Sequence, residues 1–230
     1  MSNPLTDVTV VIPVGPGDRP SPRLLEQLRV LPPEAELHIV HADGEAPPPE
    51  AMSSGGPRTR VLTAPTGRAV QQNAGAAAAG RSWLWFLHAD SRLAPDTLPA
   101  LAGFLDRGLP ALGYFRLCFL DDGPALMRVN ALGARLRSEW LHLPFGDQGL
   151  VLPRASFIAL GGFDVRLQGG EDHALVWRAR RAGLPLRAID APLYTSARRY
   201  AEHGWWATTA FHLRETVRQA RRFSRAEPTQ

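Results

Sequence analysis

A few polar residues stand where packing alone would not put them. Asp43 and Asp90 each follow a short apolar run, in His41-Ala42-Asp43-Gly44 and His88-Ala89-Asp90-Ser91. A carboxylate at the end of a buried strand can serve chemistry, although Asp and Ser also close turns and cap helices. Arg68 opens a helical segment after Gly67, where free N–H groups and the helix dipole favour an anion; a solvated first-turn arginine is the alternative. Glu171-Asp172 follow Gly169-Gly170 at the start of another helix. Either can accept a proton, or simply stabilise the dipole. Adjacent helical residues point about 100° apart, so the two are not expected to share one task. Gly146-Asp147-Gln148-Gly149 reads as a tight turn in which Asp147 binds a hydroxyl or closes an Asx turn.

The elements that must position these residues follow from the hydrophobic pattern. Apolar runs at 8–14, 36–40, 60–62 and 83–87 read as strands, separated by helical segments at 24–31 and 68–79 and an irregular Gly/Pro/Ser-rich loop over 44–57. Strands alternating with helices imply an α/β fold, a mostly parallel sheet with helices on both faces. Ligands of such sheets bind beyond the carboxyl ends of the strands, after Val14, Val40 and Leu87. The second half reads as a strand over 111–120, a helix over 124–139, a strand over 150–152 and a helix from Glu171 to Gly183. Gln71, Gln72 and Asn73 are expected on a polar helix face, with Asn73 within reach of the site. The 230 residues read as one domain.

Composition removes several classes of function. All 26 basic residues are arginine, which excludes a Schiff-base lysine, a P-loop lysine and a lysine base. Cys118 is the lone cysteine, within an apolar strand, so neither an internal disulfide nor a multi-cysteine zinc site can form. No signal peptide or membrane-spanning run stands out, and a cytoplasmic protein is expected. The net charge of +4 comes without a stacking motif, so no nucleic-acid partner is expected.

Taken in order, several segments resemble family 2 glycosyltransferases of the GT-A fold. They are Val10-Val11-Ile12-Pro13-Val14, Phe86-Leu87-His88-Ala89-Asp90, Gly161-Gly162-Phe163, and Gly170-Glu171-Asp172 with Arg178 after it. The Gly67–Gly75 and Gly146–Gly149 segments are similar to a branch of short, single-domain transferases that includes arsenosugar-biosynthesis enzymes. The resemblance implies an inverting, metal-dependent transfer from a nucleotide-sugar donor to a hydroxyl acceptor. It implies Asp172 as base with Glu171 beside it, and Asp90 on Mg²⁺ or Mn²⁺ with His88 next to it. Pro13, Val14, His41, Asp43, Arg68, Asn73, His88, Asp90, Arg198 and Arg199 would face the donor, and Asp147 and Gln148 the acceptor. Two segments depart from the family pattern. Gly15-Pro16-Gly17-Asp18 replaces Asn-Glu, and His41-Ala42-Asp43 replaces an aspartate-first motif that meets the nucleobase.

Residues 202–225 read as an amphipathic helix, with Trp206, Ala210, Leu213, Val217 and Ala220 on one stripe and arginines beside it. That face suits packing on the domain or an anionic membrane surface. Two rival functions remain: a nucleotidyltransferase, disfavoured by the absence of lysine, and a degenerate member that only binds nucleotide or sugar.

Overall fold

The computed structural model describes residues 3–44, 56–167 and 169–225, apart from the side chains of Arg199, His203, Ser224 and Arg225. At the centre of one half of the sheet lies β1 (Val8–Val14), every residue of it buried. It pairs in parallel with β2 (Glu36–Ala42) and β4 (Trp83–Phe86), and β2 pairs in parallel with β3 (Arg58–Ala64). Beyond β4 the sheet becomes mixed. β7 (Val151–Pro153) lies antiparallel between β4 and β6 (Leu112–Phe119), while β8 (Leu186–Thr195) runs parallel to β6 and antiparallel to β5 (Arg92–Leu93). The order is β3-β2-β1-β4-β7-β6-β8-β5.

Alternation along β1 builds a core on each face. Val8, Val10, Ile12 and Val14 pack with Leu24 and Leu28 of α1 (Pro22–Leu28) and Leu101 and Phe104 of α3 (Thr97–Asp106). Val11 turns the other way, towards α2 (Arg68–Ala77), α5 (Arg154–Ala159) and α6 (Glu171–Arg181). The Ala-rich sequence of α2 is a fit requirement: a Cβ on Gly75 would stand 2.5 Å from Val11 Cγ1. Helices on both faces agree with the sequence pattern.

Several boundaries and elements differ from expectation. α1 ends at Leu28, ahead of Pro32-Pro33, and residues 45–55 of the expected 44–57 loop lie outside the described residues. The helix over 124–139 is α4 (Met127–Trp140). The C-terminal helix is two, α7 (Arg198–His203) and α8 (Trp205–Arg225), because Gly204 adopts φ 81° between them. The strand β8 carries Pro192, a residue that argues against a central strand. A register shift absorbs it: Phe115 pairs with Ile189 but Arg116 with Pro192.

Gln71 is buried inside the α2–sheet contact, not on a solvated face. Its Nε2 donates to the carbonyls of Val14 (2.6 Å) and Val40 (2.8 Å), tying together the carboxyl ends of β1 and β2. Replacing Gln71 with Leu removes both bonds, and a loss of about 2 kcal/mol is expected. Urea unfolding of the variant should report that loss with an unchanged m-value.

Candidate active site

Three chain segments converge at one end of the sheet. His88-Ala89-Asp90 leaves β4 and is pinned where Ser21 N donates to the Ala89 carbonyl at 2.7 Å. Gly67, at φ 143°, turns the chain into α2 so that Arg68 begins the helix. Gly170, in the left-handed region at φ 78°, sets Glu171 and Asp172 in the first turn of α6.

Arg68 connects all three. Its Nε donates to Glu171 Oε1 at 2.5 Å, its Nη2 to Asp172 Oδ2 at 3.1 Å, and its Nη1 lies 3.2 Å from His88 Nε2. Asp172 also accepts from Gly146 N on Oδ2 (2.5 Å) and from His173 N on Oδ1 (2.8 Å). Burial opposes ionisation of Asp172, but Arg68 and the two backbone donors outweigh it and hold the carboxyl below the usual range. Burial likewise opposes the charge on Arg68, and Asp172 and Glu171 outweigh it, raising its pKa. Gly146 has no substitute here: a Cβ would lie 2.5 Å from Asp172 Oδ2.

Asp147 sits in the same place with the opposite balance. It belongs to the 3-10 turn Gly146–Gln148, and its buried Oδ1 has no hydrogen-bond partner. Burial raises its carboxyl from 3.8 to about 6; Arg137 pulls it down, and the charges of Asp172 and Asp90 push it up. Arg137 of α4 lies 3.6 Å over the Phe145 ring and donates to the Leu143 carbonyl at 3.0 Å. Arg137 carries no signal in the sequence, where it is one of several arginines on the α4 helix.

Other expected site residues are taken up in holding the chain. The Asn73 amide grips Phe163, donating to its carbonyl at 2.8 Å and accepting from its N–H at 2.9 Å. Arg178 bonds the Leu160 and Gly162 carbonyls, each at 2.5 Å, so these two residues clamp the Gly161-Gly162-Phe163 turn. Gln148 is turned inward, accepting from Ser138 Oγ and Phe145 N and donating to the Phe115 carbonyl. Pro13 and Val14 are buried in the strand, and Val14 contributes its carbonyl to Gln71. His41 is buried opposite Val14, while Asp43 is exposed just past β2. Arg198 lies against Ser196 Oγ at 3.1 Å, and the side chain of Arg199 lies outside the described residues.

No group of three or more His, Cys, Asp or Glu side chains gathers as a metal cage among the described residues. Asp90 supplies a single carboxylate, and His88 Nε2 already faces Arg68. One carboxylate suits Mg²⁺ or Mn²⁺ when diphosphate oxygens and water complete the shell.

The raised pKa of Asp147 has a consequence for stability. Folding favours its protonated form, so this group costs the native state increasingly as pH rises from about 4 to about 6. Asp147→Asn is therefore expected to stabilise the chain above pH 6, by up to about 3 kcal/mol, and to add nothing below about pH 4. Urea titrations of both proteins across that range check the sign.

Residues 24–166, more than half of the chain, match the family described as Glycosyl transferase family 2. The pre-mycofactocin glycosyltransferase of Mycobacterium tuberculosis is 31% identical over 220 residues, covering 90% of this chain and 46% of that protein. The chain thus spans about half the length of the curated relatives it matches. Among solved structures, the mannosyltransferase PcManGT from Pyrobaculum calidifontis, in complex with GDP-Man and Mn²⁺, superposes with a TM-score of 0.65 at 19% identity. That match covers 97% of this chain and 66% of the other. Residues 1–349 of S. aureus TarS in complex with UDP-GlcNAc give 0.61 at 16% identity, covering 84% and 59%. The fold is that of GT-A glycosyltransferases, and the chain belongs to glycosyltransferase family 2.

Proposed function

We propose that this chain, as a single domain, transfers a sugar from a nucleotide-sugar donor to a hydroxyl acceptor with inversion, using Asp172 as the base. The observation that carries the proposal is the Arg68–Asp172 pair at the carboxyl ends of the parallel strands, flanked by Asp90 and Asp147. Solved neighbours bound to UDP-GlcNAc and to GDP-Man with Mn²⁺ support a nucleotide-sugar donor. A peripheral membrane contact through the C-terminal helix belongs to the same reading.

The donor diphosphate lies towards Arg68 and Asp90, with Asp43 and His41 on the nucleoside side. A divalent cation held by Asp90 would offset the charge that develops on the leaving diphosphate. Arg68 then has two anions to serve. In the free protein its guanidinium keeps Asp172 ionised and weakly basic. A diphosphate competing for that guanidinium relieves Asp172 of counter-charge, and its basicity rises as the acceptor proton must be taken. Glu171 keeps Arg68 in place while this exchange occurs. Asp147, with an oxygen to spare, contacts an acceptor hydroxyl.

One observation favours a second assignment. Asp147, with its carboxyl near 6, is better poised as a base at neutral pH than Asp172. Asp172→Asn is expected to lower kcat by about 10³-fold with donor binding intact, and Asp147→Asn to raise KM for the acceptor far more than it lowers kcat. The reverse pattern moves the base to Asp147. Calorimetric donor titrations read binding separately from turnover. Thermal shifts against UDP, GDP, dTDP and CDP sugars, with and without Mn²⁺, identify the donor first.

Arg68→Gln supplies a pH test. Loss of the guanidinium lets the Asp172 pKa climb in the free enzyme, so the acid limb of the kcat/KM profile should move to higher pH. An unmoved limb removes Arg68 from control of the base.

A further inference from the structure

Among the described residues, the exposed large apolar side chains are concentrated on two helices. On α8 the buried side carries Thr208 and Phe223, while Trp206, Leu213 and Val217 are left 78%, 64% and 43% exposed. On α4 the buried side carries Met127, Ala134 and Ser138, and Val129, Leu136 and Trp140 face outward. Scattered single residues of this kind need no explanation; two aligned rows do.

The rows lie side by side. Near the start of both helices Asn130 donates to Thr209 Oγ1 at 3.1 Å and accepts from Trp205 Nε1 at 2.7 Å. At their ends both are held by neighbours in α6: Arg180 donates to the Leu141 carbonyl just past α4, and Arg181 to the Phe223 carbonyl in α8. At about 100° per residue, Val129 lies outward of Asn130, and Leu213 lies about 40° outward of Thr209. Both apolar rows therefore open on the solvent side of the same seam.

The flanks of this face are basic. Arg128 and Arg135 border the row on α4, and Arg214 and Arg218 border the row on α8. The acidic residues of the two helices are Glu139 and Glu215, which pair with Arg135 and Arg218 of the rims, so the excess positive charge there is carried by Arg128 and Arg214. A second copy seated by two-fold symmetry would bring arginine rims together. An anionic lipid surface accepts both the apolar centre and the rims, and Trp140 and Trp206 suit its headgroup level.

We infer that α4 and α8 form one continuous surface that seats on an anionic bilayer. This deepens, and rests on, the membrane contact proposed for the C-terminal helix, adding a second helix and a lipid chemistry. Co-sedimentation of the full chain with phosphatidylcholine vesicles, with and without phosphatidylglycerol, tests it. Binding should be at least about tenfold tighter to the anionic vesicles. Leu136→Glu on α4 and Val217→Glu on α8 should each abolish it, with circular dichroism and Tm unchanged because both positions are exposed. Loss with Val217→Glu alone would leave the α8 contact standing and overturn the shared surface. No binding to either vesicle overturns both. A dimer in sedimentation velocity that the same two variants dissociate, without vesicle binding, assigns the face to a second copy instead.

Discussion

The clamp of Arg68 on Glu171 and Asp172 joins the two halves of this chain. Arg68 comes from α2, packed on the parallel strands; the carboxylates come from α6, packed on the mixed half. Two buried carboxylates side by side at one helix start are costly unless opposite charge and directed donors meet them. Arg68 meets both, Gly146 and His173 supply backbone donors, and the dipole of α6 adds to them. The arrangement tolerates little error. Gly146 approaches so closely that no side chain fits, and a shift of α2 on β1 is blocked by the contact of Gly75 with Val11. The site is thus a consequence of how tightly the helices seat on the sheet.

The lysine-free composition gains a specific meaning from this geometry. Most arginines stand where a solvated helix face explains them. Arg68, Arg137 and Arg178 do not: each spreads its planar donors over several partners, which a point-charge ammonium could not do. Family membership also disposes of the nucleotidyltransferase rival, for which the absence of lysine was the counter-argument.

Residues that follow a strand or open a helix were legible in the sequence, because chain direction and strand-end topology place them. Arg68, His88 and Asp172 meet for that reason. Side-chain targets across the fold were not legible. Asn73 belongs to a segment with a site-like pattern, yet its amide closes on Phe163, ninety residues away in the chain. Gln71 reads as a surface glutamine until β1 and β2 are laid beneath it. Arg137 reads as one more exposed arginine until the Phe145 turn folds under α4. Local pattern carries no record of such partners, nor of the register shift at Pro192 in β8, which only the neighbouring strand reveals.

Asp147 and Asp172 show how one small site can hold two carboxylates in different states. They stand on separate elements joined by the Gly146 N–H, and each feels the charge of the other. Asp172 receives nearly all the donors: the arginine, both backbone N–H groups and the helix start. Asp147 receives burial, the charge of Arg137 and an oxygen with no hydrogen-bond partner. Their pKa values are driven in opposite directions by that unequal supply, the pattern expected where two acids divide a reaction between them. A ligand that recruits Arg68 would narrow the gap by raising Asp172. In the proposed transfer, donor occupancy and acceptor activation would then be linked through a single guanidinium.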